Sequence, residues 1–187
     1  MQSLKEKYNK EVIPGMMKEF GIKNKMAVPS IKKVVINSSF GKTVVGKAAG
    51  EREKIQNLIM QDLSLIAGQH TNLVKSKKSI AGFKLREGLE IAAVVTLRKQ
   101  RMWDFLERLV YLSLPRSRDF KGLDPKSCDK NGNLSIGFKE HIFFPEIFTE
   151  KEKTIFGFEV TIVTNAKNKE QGLELYKLLG FPMKEVK

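Results

Sequence analysis

EIAAVVTLRKQRMWDFLERLVYLSLP, residues 90–115, is the stretch whose reading decides the fold. Its first eight residues, EIAAVVTL (90–97), form a short apolar run rich in β-branched side chains, the composition of a strand with at least one buried face. The pattern then changes period. Met102, Phe105, Leu106, Leu109, Val110 and Leu112 recur at helical spacing over residues 101–114, and Pro115, which has no amide hydrogen to continue the ladder, is expected to stop the helix.

Working outward, residues 51–67 carry Ile55, Leu58, Ile59, Leu63 and Ile66 on one face and close at Gly68, so a second helix precedes the strand. Leu73 and Val74 begin a short extended piece between them. Further upstream, residues 31–36 read as a strand ended by Asn37-Ser38-Ser39-Phe40-Gly41. Residues 3–20 read as an amphipathic helix with Ser3 as cap, Glu6 three residues on, and a bend at Pro14. Downstream, RSRDFKGLDPKSCDKNGN (116–133) reads as an exposed polar loop with a turn at Asn131-Gly132. Strands at 134–138 and 157–164 follow, the latter alternating Phe158, Val160 and Ile162. A helix over 169–179 is stopped by Gly180 and Pro182. With no low-complexity linker and no repeat, the expectation is α+β: a single domain over residues 1–187, with helices packed on one face of a mostly antiparallel sheet and the other face free for a partner.

Charge narrows the function. Against 21 Asp and Glu the 187-residue chain carries 34 Lys and Arg, a net charge of +13. Such an excess attracts polyanions, because each cation that neutralises a phosphate releases a condensed counterion. The excess is concentrated. Between residues 75 and 101, Lys75, Lys77, Lys78, Lys84, Arg86, Arg98, Lys99 and Arg101 face only Glu87 and Glu90. Anionic membrane binding would want these cations opposite a continuous apolar face with aromatic anchors, and this window lacks one. No apolar run approaches the roughly 18 residues of a membrane span, and MQSLKEKYNKEV (1–12) has no apolar core of the signal-peptide kind, so a cytosolic protein is expected.

Catalytic and metal chemistry find little support. The single cysteine, Cys128, and two histidines, His70 and His141, cannot build a His/Cys metal cage, and neither histidine has the spacing of a helical metal site. Asp104 and Glu107 share a helix face with Arg101 and Arg108 beside them, the pattern of solvated ion pairs. GKTVVGKA (41–48) imitates a phosphate-binding loop, but Ala48 stands where the hydroxyl that holds magnesium is needed. A nucleotide hydrolase built on that loop and a general cationic chaperone of nucleic acid remain the rival readings. No enzyme, cofactor or metal is expected.

KSKKSIAGFKLREG (75–88) offers what a phosphate surface asks for: dense cations, the Ser79 hydroxyl, and Gly82 and Gly88 where backbone can come close. Phe83 either stacks on a base or ribose or pins the loop to its own body. Folded RNA is read largely through shape, phosphates and 2′-hydroxyls, so the loop suits RNA better than the DNA major groove.

That run, followed by VTLRKQRMWDFLERL (95–109), LPRSRDFKG (114–122), GFKEHIFFPEI (137–147) and VTIVTNAKN (160–168), resembles the bacterial large-subunit ribosomal protein L-five family, in order and over almost the whole chain. The resemblance implies a structural protein of the 50S subunit, cytoplasmic with the ribosome, that anchors 5S ribosomal RNA in the central protuberance. Implied partners are 5S and 23S ribosomal RNA, the P-site transfer RNA, neighbouring 5S-binding ribosomal proteins and, through an intersubunit bridge, the small-subunit protein S-thirteen. By position, Asn37, Gln69 in IAGQ and Thr96 in VTLR match the family's polar residues on the 5S-facing sheet, and Arg98 and Arg101 are assigned to ribosomal RNA phosphates. Lys75, Lys77, Lys78, Ser79, Gly82, Lys84 and Arg86 fall in the loop that reaches the P-site transfer RNA in this family. The bridge is assigned to the surface over residues 116–144. Where the family reads N-M-G-V-G, this chain has Asn37-Ser38-Ser39-Phe40-Gly41, with extra residues after it, so the 5S contact at that end is expected to differ in detail.

Overall fold

A computed structural model describes residues 3–118, 120–147 and 155–184. Elements follow in the order α1 (Leu4–Lys7), α2 (Ile13–Phe20), β1 (Ile31–Ser39), α3 (Gly41–Val44), α4 (Ala49–Ala67), β2 (Asn72–Lys75) and β3 (Glu90–Leu97). After these come α5 (Lys99–Arg108), α6 (Leu114–Arg116), β4 (Leu134–Phe138), β5 (Phe158–Thr164) and α7 (Lys169–Leu179). The strands form one antiparallel sheet in the order β2-β3-β1-β5-β4, and the fold class is the expected α+β one. Chain contacts group into two compact units. The first comprises Met1–Val34, Leu97–Ile136 and Val160–Lys187; the second comprises Val35–Thr96 and Gly137–Glu159.

In the first unit, Pro14 and Pro115 both lie within continuous helix, and Pro115 does not stop the helix as expected. A π-helical turn at Tyr8–Val12 joins α1 to α2, with Pro14 in the first turn of α2. A second π turn at Leu109–Ser113 joins α5 to α6, with Pro115 in the first turn of α6. The helix expected over 101–114 therefore runs from Lys99 to Arg116. A widened turn places the proline where its missing amide hydrogen leaves no ladder bond broken. Ser3 caps α1 as expected, its Oγ accepting from the Glu6 N–H at 3.3 Å. The Leu4 N–H donates to Glu107 at 3.3 Å, and the Tyr8 and Trp103 rings meet at 5.5 Å.

The 116–133 stretch carries the turn at Gly132, with φ +76°, but it is not uniformly exposed. Leu123 is buried and bridges to Met183, and Cys128 is 2% exposed, its Sγ donating to the Asp129 carbonyl at 3.7 Å. Asp119, part of that stretch, lies outside the described residues. Tyr176 of α7 is fully buried and donates its hydroxyl to the carbonyls of Gly132 at 3.0 Å and Ile162 at 3.3 Å. Burial pushes the phenol's pKa far up, so it serves as a fixed donor.

In the second unit, Ile59, Leu63 and Ile66 of α4, Ile36 of β1, and Ala93 and Val95 of β3 are buried. Gly68 ends α4 in the left-handed conformation that a glycine adopts without a Cβ penalty, at φ 65°. Thr71 knits this corner. Its hydroxyl and that of Ser64 both donate to the Met60 carbonyl, at 3.1 and 2.6 Å, while its N–H donates to Ser64 Oγ at 3.2 Å.

Candidate nucleic-acid interface

In the second unit, period-two alternation divides the sheet into a packed and an open face. Ile36 and Ser38 of β1 and Ala93 and Val95 of β3 are buried, whereas Val35, Asn37, Ala92, Val94 and Thr96 are only half-buried. β1 runs three residues further than its composition predicts. Ser38 is what permits this: its hydroxyl donates to the Gly157 carbonyl at 2.8 Å, so a polar side chain sits satisfied at a core position. Asn37 is thereby a mid-strand residue of the open face rather than the start of a turn. The Phe40 N–H donates to the Ile91 carbonyl at 2.9 Å, so the end of β1 meets the start of β3 as antiparallel neighbours must.

The structure brings two of the sequence-selected residues into contact, since Gln69 donates its side-chain amide to the Thr96 carbonyl at 3.3 Å. Asn37 differs from both. Its Oδ1 is buried yet accepts no hydrogen bond, an arrangement that costs stability unless something else supplies the donor. Asn72 belongs with this group and was missed from sequence. Its register opposite Val94 puts it on the open face, exposed, one alternation step from Val74 opposite Ala92. The signal existed in the period of NLV, but four residues are too few to fix a register without the partner strand.

Residues 75–88 form a hairpin extension of β2 and β3 rather than an open loop. Ser76 and Leu89 pair (N–H to carbonyl, 2.8 Å), as do Gly88 and Ser76 (3.0 Å), and Ile80 bridges Leu85 nearer the tip. Gly88 at φ +79° and Lys84 at φ 51° make the turns. Two serines fasten the walls: the buried Ser76 hydroxyl donates to the Lys78 carbonyl at 2.8 Å, and Ser79 Oγ accepts from the Glu87 N–H at 2.9 Å. Lys77, Lys78, Lys84 and Arg86 are exposed, and Gly82 at the tip has open space around it. Lys75 differs, lying 4.0 Å from Glu90 across the root. Phe83 is 74% exposed, so it does not pin the loop to its own body.

Arg98 and Arg101 belong to the first unit, where both are exposed. Arg98 occupies the N-cap position of α5, and Arg101 lies in its first turn. In the second unit, GFKEHIFFPEI (137–147) packs as an aromatic cluster, with Phe138, Phe143, Phe144 and Phe158 at ring separations of 4.9 to 6.1 Å. His141 is fully buried in it. The ring stacks on Phe156 at 3.9 Å, its Nδ1 accepts from the Phe156 N–H at 3.4 Å, and its Nε2 lies 3.9 Å from Asp62. That is a core histidine's set of contacts, and no group of three or more metal-ligating side chains occurs among the described residues.

Known proteins match this chain along nearly its whole length. Residues 24–86 match the family described as Ribosomal protein L5, and residues 90–183 match the model of that ribosomal family's C-terminus. The class these matches define is a structural protein of the large ribosomal subunit, not an enzyme. Large ribosomal subunit protein uL5 of Geotalea daltonii is 47% identical over 184 residues, covering 98% of this chain and 99% of its own. The uL5 of Herpetosiphon aurantiacus is 49% identical over 185 residues (99% and 100%), and uL5c of Tetradesmus obliquus is 48% identical over 181 residues (97% of each). The chain belongs to the ribosomal protein L5 family, of the bacterial type, and its place is the ribosome in the cytoplasm.

Proposed function

We propose that this chain, acting as a single binding domain, anchors 5S ribosomal RNA in the central protuberance through the open sheet face. Asn37, Gln69 and Thr96 contact bases and riboses, and Arg98 and Arg101 contact phosphates. The 75–88 hairpin reaches the P-site transfer RNA with Lys75, Lys77, Lys78, Ser79, Gly82, Lys84 and Arg86. The surface over residues 116–144 bridges to S-thirteen, and 23S ribosomal RNA and neighbouring 5S-binding proteins complete the surroundings.

The observation that carries this reading is the buried, unpartnered Oδ1 of Asn37 on the half-buried open face. An acceptor held away from water without a donor is suited to a hydroxyl or amino group brought in by a partner. The hairpin supports a different kind of contact. Several exposed lysines on a narrow extension give many weak, charge-assisted bonds, which suits a partner that must leave in every cycle.

The test is a competition titration of labelled 5S ribosomal RNA at near-physiological salt against unlabelled 5S, transfer RNA and random RNA of equal length. Displacement by unlabelled 5S alone supports the scaffold. Equal competition by all three would mean that charge acts without selection, as in the cationic-chaperone reading.

A further inference from the structure

Beside the hairpin, and within the second unit, lies a cavity of about 540 Å³ whose hairpin wall shares Lys84 and Arg86 with the transfer RNA reading and whose other wall, with Lys47 and Arg52, neither RNA reading uses. One wall is the turn between α3 and α4, the stretch that imitates a phosphate loop in the sequence. The other wall is the hairpin from Ala81 to Leu89. Four of its lining residues are cations, Lys47, Arg52, Lys84 and Arg86, and none of the lining residues is acidic. Val45, Leu85 and Leu89 contribute apolar surface. Arg52 is half-buried in the first turns of α4, and its Nε is buried without a hydrogen-bond partner.

In the isolated protein this arrangement is unfavourable twice over. Four like charges share a concave space, and a buried guanidinium N–H has no acceptor. Both costs fall if a multiply charged anion enters. A single monoanion would leave most of the repulsion in place, so the ligand that matches carries three or four negative charges in a small volume. The polar lining side chains are all cations, so recognition falls on phosphates and not on a base. The volume lies within the range of small-ligand sites.

We propose that this cavity binds a cluster of two or more phosphates, supplied either by the polyphosphate of a free nucleotide or by a tight bend in an RNA backbone. A ligand there joins the outer part of the hairpin to the start of α4 and the turn before it, through Arg52 and Lys47 on one side and Lys84 and Arg86 on the other. The proposal does not rest on 5S recognition, since Lys47 and Arg52 lie outside that site.

The experiment is calorimetric titration of the full chain with inorganic tripolyphosphate, pyrophosphate and monophosphate at constant ionic strength. Tripolyphosphate is expected to bind one to one and about tenfold or more tighter than monophosphate, because added phosphates engage more of the four cations. Lys47→Gln and Arg52→Gln should each weaken it several-fold. Lys54→Gln, an exposed cation on α4 outside the cavity, should leave it unchanged. Arg52→Lys keeps the charge and serves if Arg52→Gln fails to fold by circular dichroism; it should bind more weakly than the parent through loss of the guanidinium fork. Competitors then separate the sources. Displacement of tripolyphosphate by nucleoside triphosphates regardless of base points to a free nucleotide, and displacement by a structured RNA alone points to a backbone bend. Weak binding of all anions without stoichiometry, an equal loss in Lys54→Gln, or displacement by neither competitor overturns the proposal.

Discussion

At Asn37 a single atom sets a proposed binding residue apart from a structural one. Its Oδ1 is buried and unpartnered, so in the free protein it costs stability rather than adding to it. Asn37→Ala is therefore expected to leave the melting temperature unchanged or slightly raised while weakening 5S binding by about 1 kcal/mol, roughly fivefold, with little change in salt slope. A fall in melting temperature equal to the loss of affinity would assign Asn37 to the fold instead. Asp129 is the opposite case. Burial works against its charge, but the side-chain and backbone hydrogen bonds from Asn133 and the N–H of Asn131, all at 2.8 to 2.9 Å, outweigh it and hold the carboxyl below the usual range. A depressed folded-state pKa stabilises above the unfolded value, about 3.9, and that stabilisation disappears as pH falls through the folded value. The melting-temperature gap between the parent and Asp129→Asn should accordingly be constant from about pH 8 to 5 and shrink below about pH 4.

Elements add constraints that no residue carries alone. α7 carries Gly172 mid-helix, where alanine would ordinarily stabilise by about 1 kcal/mol. Here a Cβ would meet Gly132 Cα at 2.5 Å and its carbonyl oxygen at 2.8 Å. That carbonyl also receives the hydroxyls of Thr164 and Tyr176, so the turn cannot shift without losing both bonds. Gly172→Ala should destabilise by about 1–3 kcal/mol in urea unfolding, and a gain would deny the close approach. The hairpin makes the complementary prediction. Its backbone is tied by Ser76, Ser79 and the Ile80–Leu85 bridge, while Lys77 and Lys78 project without supporting it. Reversing both to Glu should weaken transfer RNA binding several-fold while leaving melting temperature unchanged and 5S affinity within about twofold. Equal loss of both RNAs would count against separate surfaces.

At the scale of the whole molecule the net charge of +13 sets a background affinity for any polyanion. Counterion release makes that background steeply salt-dependent, whereas hydrogen bonds from the sheet face are not. Raising salt from about 50 to 200 mM should weaken random RNA by orders of magnitude and 5S less, so the ratio between them should rise. A constant ratio would mean that charge supplies the preference.

Period and punctuation alone determined much of this protein: the strand at 90–97, the helices over 51–67 and 169–179 with their glycine stops, and the cationic concentration at 75–88. These are local properties, set by side-chain spacing and backbone freedom within a few residues. Tertiary structure alone decided the rest. Only the ladder and the Gly157 carbonyl carry β1 through Ser38, and only π turns let two helices absorb their prolines. Likewise the register with β3 turns Asn72 outward, and packing buries Cys128 in a stretch that reads as polar and exposed. Each depends on groups far apart in the chain, whose pairing carries no local signature because the partner, not the neighbour, supplies the hydrogen bond or the contact.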